Sequence, residues 1–554
     1  MKKILAILLT VLMLGTCVAF AEDETPDWMQ PYAETVHFTW GRDSSTLVWP
    51  EGESFSNNYW ADWIKEQFNI DLELTWYVDG NDYMTQVNLA SVDNTFPDAF
   101  LLTGSTAKQT IRDLIDSDCL APLNDAFEQY ASPLLKDIIN SYGGLDVVCP
   151  ATVRDEEGNI YAFSTTSPGS EYELVWIRMD WLKKLDLPVP ATFDELMATA
   201  RAFVDAKLGG EKTYGFCITN SLKDQYNKAS TPSWLEHNFN AYPGVWYKNE
   251  EGNYVYGSVQ PQMKEALKFL ADCYSEGLLN EEFSTIDVKG SLASGQCGIT
   301  FGPWWIGATP LNNCKINDPD SFWEPIWVTN KDGAFHTIAP DPTNENRYYA
   351  VRADCEHPEV LVKMMNLAAE QQNLYGMEEF DEFKRNIPAE VDKYYNNQGF
   401  YRLDWGAWPM ALKLRYFDQL ARMGVVWDGL VERVKNGETI PEFNMESFDG
   451  QLIVDYMTGK DNSDGGQHVY TKLVALDLLQ EKGPSAILLQ AYNPAPTETM
   501  SLAWTNLTDM ENQLFVKIVM GKEPLDAFDQ FVKDWYAQGG TDITEEVDAQ
   551  AKGK

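Results

Sequence analysis

Histidines and recognisable catalytic motifs are scarce in this sequence. It has five histidines among 554 residues, and it lacks the HExxH, GxSxG and P-loop patterns. Metalloproteases, α/β-hydrolases and nucleotide hydrolases of the common types are therefore disfavoured. A glycosidase needs only two carboxylates, and the 84 Asp and Glu residues leave such a pair open as an alternative. We expect a protein that performs no catalysis.

Basic residues are also few. The chain has 42 Lys and Arg against 84 Asp and Glu, which gives a formal net charge of -42. Phosphate groups are bound by basic patches, so this balance argues against nucleic acid as a partner. It argues equally against binding to anionic membranes. A strongly acidic surface is typical of a highly soluble protein.

Cysteine pairs with metal-site or redox spacing are missing. The eight cysteines include no CxxC pair, which argues against a zinc site or a thioredoxin-like centre. Removal or lipidation of Cys17 leaves seven, an odd number that cannot all pair with one another. A chain of this length does not need disulfides for its core, so we expect scattered buried thiols and no cofactor.

Long apolar runs are confined to the first residues. Lys2-Lys3 and the apolar stretch Ile4–Leu14 have the form of a secretory signal, and Ala19-Phe-Ala21 resembles its cleavage site, so residues 1–21 are predicted to be a signal peptide. Leu14-Gly-Thr-Cys17 permits a second interpretation, a lipoprotein signal with the lipid on Cys17. Thr16 is a poor residue in that position, which favours the soluble form. Both interpretations predict an exported protein.

Strand-like and helix-like segments alternate along the chain. His37–Trp40, Asp71–Tyr77 and Ala99–Leu102 have the composition of strands, and helical patterns separate them. Thr192-Phe-Asp-Glu195 is a capping box that predicts the start of another helix. This order predicts an α/β fold with mostly parallel strands, and the length predicts two or more lobes.

Several short motifs occur in an order that resembles one known family. The motifs are Asn58-Tyr-Trp-Ala-Asp-Trp63, Leu89-Ala-Ser91, Phe96-Pro-Asp98, Gly158-Asn-Ile-Tyr-Ala162, Ile177-Arg-Met-Asp-Trp-Leu182, Pro190-Ala-Thr-Phe-Asp-Glu195, His357-Pro-Glu359 with Asn366, Pro524-Leu-Asp-Ala-Phe-Asp529, and Trp535 with Gly539-Gly540 and Ile543-Thr-Glu-Glu-Val547. Together they resemble the extracellular solute-binding proteins, family 1, of ABC sugar importers. The resemblance is strongest to the subgroup that includes alginate-binding proteins and sugar-binding lipoproteins of Gram-positive bacteria.

The resemblance implies a two-lobed, periplasmic-binding-protein-like α/β fold of type II, with a hinge and an interlobe cleft. We expect residues 22–165 to form the first segment of the N-terminal lobe and residues 166–335 the first segment of the C-terminal lobe, with 336–554 shared between the lobes. It also implies a monomer that captures an oligosaccharide and delivers it to the permease subunits of an ABC transporter. There are two alternatives. The same scaffold could bind a peptide or other solute, or the chain could be a carbohydrate-active enzyme or sensor.

Aromatic residues suit a sugar ligand, because sugar rings stack their apolar faces on flat side chains. The chain has 19 Trp, 26 Tyr and 26 Phe. Trp304 and Trp305 lie in a Gly/Pro-bounded loop after a predicted strand, and both cannot enter one core. The candidate ligand-binding residues are Trp60, Ser105, Arg178, Trp234, Trp246, Trp304, Trp305, Tyr401, Trp405 and Trp408.

Each candidate also has a structural alternative. Trp60 is placed near a helix start and at the cleft, with Trp63 in the core. Arg178 is placed at a strand end, where open α/β sheets bind ligands, but it could instead pair with Asp180. The Tyr401–Trp408 segment matches a cleft-lining segment of the alginate binders that it resembles, although an amphipathic surface segment would have the same pattern.

A calcium site is not expected. Alginate-binding members of the family carry an Asp/Asn-rich calcium loop just after the capped helix. The corresponding segment here, residues 205–215, contains one aspartate, one glutamate and two lysines. Calcium requires six or more oxygen ligands, several of them carboxylates. We therefore predict that no metal is bound.

Overall fold

The computed structural model places two large hydrophobic cores in different parts of the chain. It describes residues 28, 30–43, 52–78, 80–104, 106–166, 172–223, 229–307, 309–339, 347–374, 414, 430–438, 448–460 and 464–552. The first core takes its side chains from residues 36–163, 348–369 and 414, and the second from 172–335 and 475–547. We call the two bodies the first and second lobes, and the fold is a two-lobed α/β fold.

The first lobe contains a five-stranded sheet in the order β2-β1-β3-β12-β4. Its strands are β1 (Val36–Asp43), β2 (Ile70–Val78), β3 (Ala99–Thr103), β4 (Ala162–Ser164) and β12 (Arg347–Val351). Strand β1 is parallel to β2 and β3, whereas β12 is antiparallel to both β3 and β4. The first sheet is therefore assembled from segments some 250 residues apart in sequence, as the pairing of Val351 with Ala99 demonstrates.

Helices cover this sheet. They are α1 (Tyr59–Phe68), α2 (Gly80–Asp93), α3 (Ala107–Asp116), α4 (Asn124–Tyr130), α5 (Pro133–Ser141), α6 (Leu145–Val148) and α12 (Glu359–Leu374). Asn58 caps α1, since its side chain accepts hydrogen bonds from the first-turn amides of Trp60 and Ala61. Buried Lys363 on α12 donates hydrogen bonds to the carbonyl oxygens of Trp28 and Gln30, which holds the start of the described chain on this lobe.

The second lobe contains two four-stranded sheets, in the orders β10-β5-β9-β6 and β11-β13-β7-β8. The strands are β5 (Leu174–Arg178), β6 (Tyr214–Phe216), β7 (Trp246–Lys248), β8 (Tyr254–Tyr256), β9 (Cys297–Gly302), β10 (Trp323–Ile326), β11 (His336–Ala339) and β13 (Ile487–Tyr492). Only β6–β9 and β11–β13 pair in parallel here, and β5 runs antiparallel to both its neighbours. Two of the four pairings in the first sheet are parallel, and one of three in each sheet of the second lobe, so the expectation of mostly parallel strands was wrong.

The remaining helices of the described chain belong to the second lobe and to the later segments. They are α7 (Met179–Leu185), α8 (Phe193–Asp205), α9 (Ser233–His237), α10 (Pro261–Ser275), α11 (Val288–Ala293), α13 (Leu430–Lys435), α14 (Phe448–Met457), α15 (Asp464–Lys482), α16 (Glu498–Val519), α17 (Ala527–Trp535) and α18 (Thr541–Ala551). The capping box at Thr192 and Glu195 is formed and starts α8. None of the helices in the described part of the chain has the length and apolar character that crossing a bilayer requires.

Two of the covalent crossovers between the lobes lie at sheet edges, and they indicate which edges face each other. The chain leaves the first sheet at the end of β4 and enters the second lobe at the start of β5, and it returns between the end of β11 and the start of β12. We call the sheet edges at these points the crossover edges. In the first lobe this edge includes Thr103 and Arg347, which are register partners, and in the second it includes Leu174 and Gly302, which also pair.

The cysteines within the described residues are all free thiols. They are Cys119, Cys149, Cys217, Cys273, Cys297 and Cys314, which are buried, and Cys355, which is partly exposed. The prediction of scattered thiols is confirmed for these seven positions. Burial raises the pKa of the Cys149 and Cys273 thiols to about 12, which suits a packing role rather than a reactive one.

Candidate ligand-binding site

The crossover edge of the first lobe carries a cluster of charged side chains. Arg347, the first residue of β12, makes a bidentate ion pair with Asp43, the last residue of β1, and both N···O distances are 2.9 Å. Both side chains remain about one-fifth exposed. The guanidinium of Arg347 contributes to holding the pKa of the Asp43 carboxyl below its ordinary value, although burial acts in the opposite direction.

Arg42 lies beside this ion pair and is 3% exposed. Its guanidinium carbon is 5.0 Å from the centre of the Phe55 ring, and its Nε donates a hydrogen bond of 3.1 Å to the carbonyl oxygen of Asp43. Burial lowers the pKa of Arg42, because the charged form loses its hydration. Tyr77, which is 41% exposed, packs against Phe55 with the rings tilted and their centres 4.9 Å apart. The edge therefore combines a cation with aromatic faces.

The crossover edge of the second lobe carries the predicted pair of indoles. Trp304 and Trp305 follow β9 directly, and both are only partly buried. Trp176 Nε1 donates a hydrogen bond of 3.1 Å to the carbonyl oxygen of Gly302, which fixes the point where the loop begins. The Nζ of Lys472 is 5.5 Å from the Trp304 ring centre. The buried Nε1 of Trp304 has no hydrogen-bond acceptor in the described part of the chain.

A buried carboxyl group supports the same edge. Glu173 immediately precedes β5, is 8% exposed, and forms hydrogen bonds with the hydroxyl groups of Thr231 and Ser233. Burial raises the pKa of Glu173 to about 8, and the two hydroxyl groups counteract this only in part. The group therefore holds its proton at neutral pH, which is compatible with an apolar site.

Two of the predicted tryptophans, Trp234 and Trp246, lie inside the second lobe rather than at a surface. Trp234 is fully buried between Phe193 and Phe301, with ring-centre distances of 6.2 and 5.8 Å. Trp246 is 4% exposed and packs against Tyr256 at 5.2 Å. Neither ring offers a face to a ligand, so the structure contradicts these two assignments. Their aromatic neighbours come from distant segments, which explains why loop composition misled the prediction.

The prediction for Trp60 was also wrong, because Trp60 lies in the core of the first lobe. Trp60 is 3% exposed, and it lies on one helix stripe with Ile64 and Phe68, which are also buried. Residues four apart share a helix face, so this stripe faces the core. Trp63 lies at the margin of the stripe and is partly buried, with its ring centre 6.2 Å from that of Trp60.

Arg178 is a structural residue. Its side chain is fully buried, its Nε lies 2.7 Å from Asp180 Oδ1, and its other end contacts Asp318 and the Sγ of Cys314. Strand β5 runs antiparallel to β9, so the end of β5 lies at the opposite edge from the end of β9. The rule that ligands bind at strand ends was therefore applied to the wrong edge, and the alternative of a structural pair with Asp180 is confirmed.

The remaining candidates, Ser105, Tyr401, Trp405 and Trp408, lie outside the described residues, and they stay predictions. The segment examined for calcium, residues 205–215, is described, and within it Lys207 forms an ion pair with Glu211. Among the described residues, no group of three or more His, Cys, Asp or Glu side chains is placed to hold a metal ion.

Sequence reasoning missed Arg42, Asp43, Arg347 and Glu173. Arg42-Asp43 stands directly after the predicted first strand, and charged residues at the end of a parallel strand were a usable signal. The pairing of Asp43 with Arg347 spans 304 residues and has no local signature. Glu173 has no local signature either, because the hydroxyl group of Thr231 that pairs with it lies 58 residues away in sequence.

Comparisons with known proteins agree with this architecture. No family model matches the sequence. A polygalacturonan/rhamnogalacturonan-binding protein of Bacillus subtilis is 25% identical over 247 residues, covering 43% of this chain and 45% of that protein. A fructooligosaccharide ABC transporter substrate-binding protein of Streptococcus pneumoniae is 23% identical over 251 residues, covering 42% and 43%. The matches thus span less than half the length of these two curated relatives.

Solved structures match over almost the whole chain. The alginate-binding protein AlgQ2 without calcium superimposes with a TM-score of 0.58 at 15% identity, covering 96% of this chain and all of that one. The S. pneumoniae protein in complex with kestose also gives 0.58 at 15% identity, covering 93% of this chain and 99% of that one. The chain therefore has the fold of these binding proteins, as the resemblance in its sequence implies.

Proposed function

We propose that this protein is the extracellular solute-binding component of an ABC importer, and that it captures an oligosaccharide between its two lobes. The observation that carries the proposal is the position of the partly buried Trp304 and Trp305 at the crossover edge of the second lobe. The crossover edge of the first lobe carries charged and aromatic side chains of its own. Sugar rings stack on indoles, and polar side chains hold their hydroxyl groups.

The polar inventory of the site suits hydroxyl-rich ligands. Lys472, whose Nζ lies 5.5 Å from the Trp304 ring centre, can donate hydrogen bonds to sugar hydroxyl groups beside the indoles. Tyr77, which is 41% exposed, adds an aromatic surface on the first lobe. Ser105, Tyr401, Trp405 and Trp408 remain proposed contacts, as the sequence analysis has them.

The proposed cycle needs no covalent chemistry. The open protein binds sugar on one lobe, and contacts that form only when the lobes close favour the closed form. The closed form then docks on the permease subunits. The fructooligosaccharide transporter protein among the relatives supports this role, and the polygalacturonan/rhamnogalacturonan-binding protein supports a carbohydrate ligand. Export of the chain, as a soluble protein or with a lipid on Cys17, is part of the same proposal.

A thermal-shift screen tests the proposal. Protein freed of co-purified ligand is heated with panels of oligosaccharides and of peptides, since a ligand that binds only the folded state raises Tm. We expect at least one oligosaccharide, and no peptide, to raise Tm by several degrees. If only peptides raised Tm, the protein would be a peptide-binding component instead. If shorter sugars were released during incubation, the protein would be an enzyme that cleaves carbohydrates.

A further inference from the structure

Arg42 has an unusual environment for an arginine. It is 3% exposed, yet it lies at the crossover edge of the first lobe, one residue before the end of β1. A guanidinium group has five N–H donors in a planar fork, and it carries a positive charge that is unfavourable to bury without compensation. The partners that the protein provides for this group therefore indicate whether it serves the fold or a ligand.

The protein provides hydrogen-bond acceptors for only some of the N–H donors of the Arg42 guanidinium group. Its Nε donates to the carbonyl oxygen of Asp43, and its charge faces the ring of Phe55. The two terminal nitrogens have no hydrogen-bond acceptor and no carboxylate partner among the described residues. By contrast, the buried Arg178 of the second lobe contacts two carboxylates and a thiol. The structural arginine is fully paired, whereas Arg42 is not.

The neighbouring carboxylate is already engaged. Both oxygens of Asp43 accept hydrogen bonds from Arg347, so the ion pair occupies the acid that Arg42 could have used. The strongest electrostatic neighbours of Arg42 are Tyr349, Asp43, Arg347 and Tyr77, which include one acid and one further base. Among these neighbours Asp43 is the carboxylate that lies beside both guanidinium groups, at the proposed ligand site of a chain whose net charge is -42.

We propose that the ligand carries a carboxylate and that the terminal nitrogens of Arg42 bind it, which makes the substrate an oligosaccharide containing uronic acid. This inference rests on the proposed function and names its substrate class. A carboxylate matches the fork of a guanidinium with two parallel hydrogen bonds. Phe55 keeps the guanidinium plane in place on one side, and Asp43 and Arg347 hold the strand end from which it projects.

Calorimetry with matched ligands tests the inference. The ligands are short oligosaccharides of galacturonate, glucuronate, mannuronate and guluronate, each compared with the neutral oligosaccharide obtained by reducing its carboxyl groups. We expect the wild-type protein to bind at least one acidic member, and to bind its reduced counterpart at least tenfold more weakly. This comparison needs no variant, so it decides the matter even where a variant fails to fold.

Variants then assign the effect to Arg42. In R42Q the preference for the acidic ligand should fall to threefold or less, and R42K, which keeps the charge but lacks the fork, should retain part of it. R201Q is the matched control, because Arg201 is an exposed arginine that pairs with Glu276 on the second lobe. It should bind both ligands as the wild type does, and circular dichroism verifies the fold of each variant.

The outcomes separate this inference from the proposed function. Equal or tighter binding of the neutral oligosaccharides overturns the uronate assignment and leaves the oligosaccharide-binding function intact. An equal loss of affinity for both members of a pair in R42Q overturns the role of Arg42 as the carboxylate-binding residue. Failure of every acidic and neutral oligosaccharide to bind overturns the proposed function, and this inference with it.

Discussion

The Nζ of Lys108 lies 3.0 Å from the main-chain carbonyl oxygen of Asn493, and this hydrogen bond joins the two lobes. Lys108 is in the first turn of α3, at the crossover edge of the first lobe, and Asn493 follows the end of β13 in the second. The lysine side chain is 5% exposed. A buried hydrogen bond from a charged donor is a contact that a separation of the lobes would break.

Replacing Lys108 with methionine should favour separation of the lobes. A hydrogen bond to a charged group contributes about 1.5–3 kcal/mol, so we expect ligand affinity to fall by about tenfold. Small-angle X-ray scattering should record a larger radius of gyration for the ligand-free variant. K136M is the control, because Lys136 also donates to a carbonyl oxygen, that of Glu128, but within the first lobe. Equal effects of the two substitutions would contradict a role in closure.

Loss of the indoles at Trp304 and Trp305 should weaken sugar binding without unfolding the protein. Both rings are only partly buried. We expect the double variant W304A/W305A to bind its oligosaccharide at least tenfold more weakly, because stacking on both rings is removed. Isothermal calorimetry measures this, and Y536A, which removes a 36% exposed ring from the surface near the C-terminus, is the control. Unchanged affinity in the double variant would show that the ligand binds elsewhere.

Glu173 should make stability depend on pH. Its pKa in the folded protein is about 8, above the ordinary value of 4.5, because the carboxyl group is buried. A raised pKa means that the stabilising contribution of the proton is complete below pH 4.5 and is lost as the pH rises through 8. The free energy of unfolding of the wild type should thus fall relative to that of E173Q by up to about 1.4 kcal/mol per pH unit in this range.

Urea denaturation of the wild type and E173Q at pH 5, 6, 7 and 8 provides the measurement. Glutamine resembles the protonated acid, so the variant lacks this source of pH dependence while keeping the hydrogen-bonding partners Thr231 and Ser233. A difference between the two proteins that stays constant across the series would show that Glu173 titrates normally.

Trp234 should matter for stability and not for affinity. Its ring is fully enclosed between Phe193 and Phe301. Truncation of a buried aromatic side chain typically destabilises by about 3–5 kcal/mol, and we expect W234A to lower the free energy of unfolding by this amount. At a temperature where the variant is folded, its ligand affinity should match the wild type. A loss of affinity larger than threefold would restore Trp234 to the binding site.

Local patterns predicted the elements of this fold well. Residues 192–195 formed the expected capping box, which starts α8. Trp304 and Trp305 were placed correctly after a strand, because a loop bounded by Gly and Pro is a local signal. These successes concern neighbours in sequence, for which helix and strand periodicity is sufficient.

Strand direction and burial depend on distant partners and could not be predicted in the same way. The antiparallel direction of β5 is set by its pairing with β9 and β10, more than 100 residues further along, and it moved Arg178 to the edge away from the crossovers. The rings that enclose Trp234 are likewise 41 and 67 residues away in sequence. The sequence identifies which aromatic residues could bind a solute. Which of them a solute can reach depends on how the lobes are assembled.

The hydrogen bonds from Lys363 to the carbonyl oxygens of Trp28 and Gln30 have a mechanical consequence. They hold residues 28 and 30 on the first lobe, so the lipid proposed as one option at Cys17 would attach the protein through that lobe. With such an anchor in place, closure would move the second lobe, with its pair of indoles, toward a first lobe of fixed orientation.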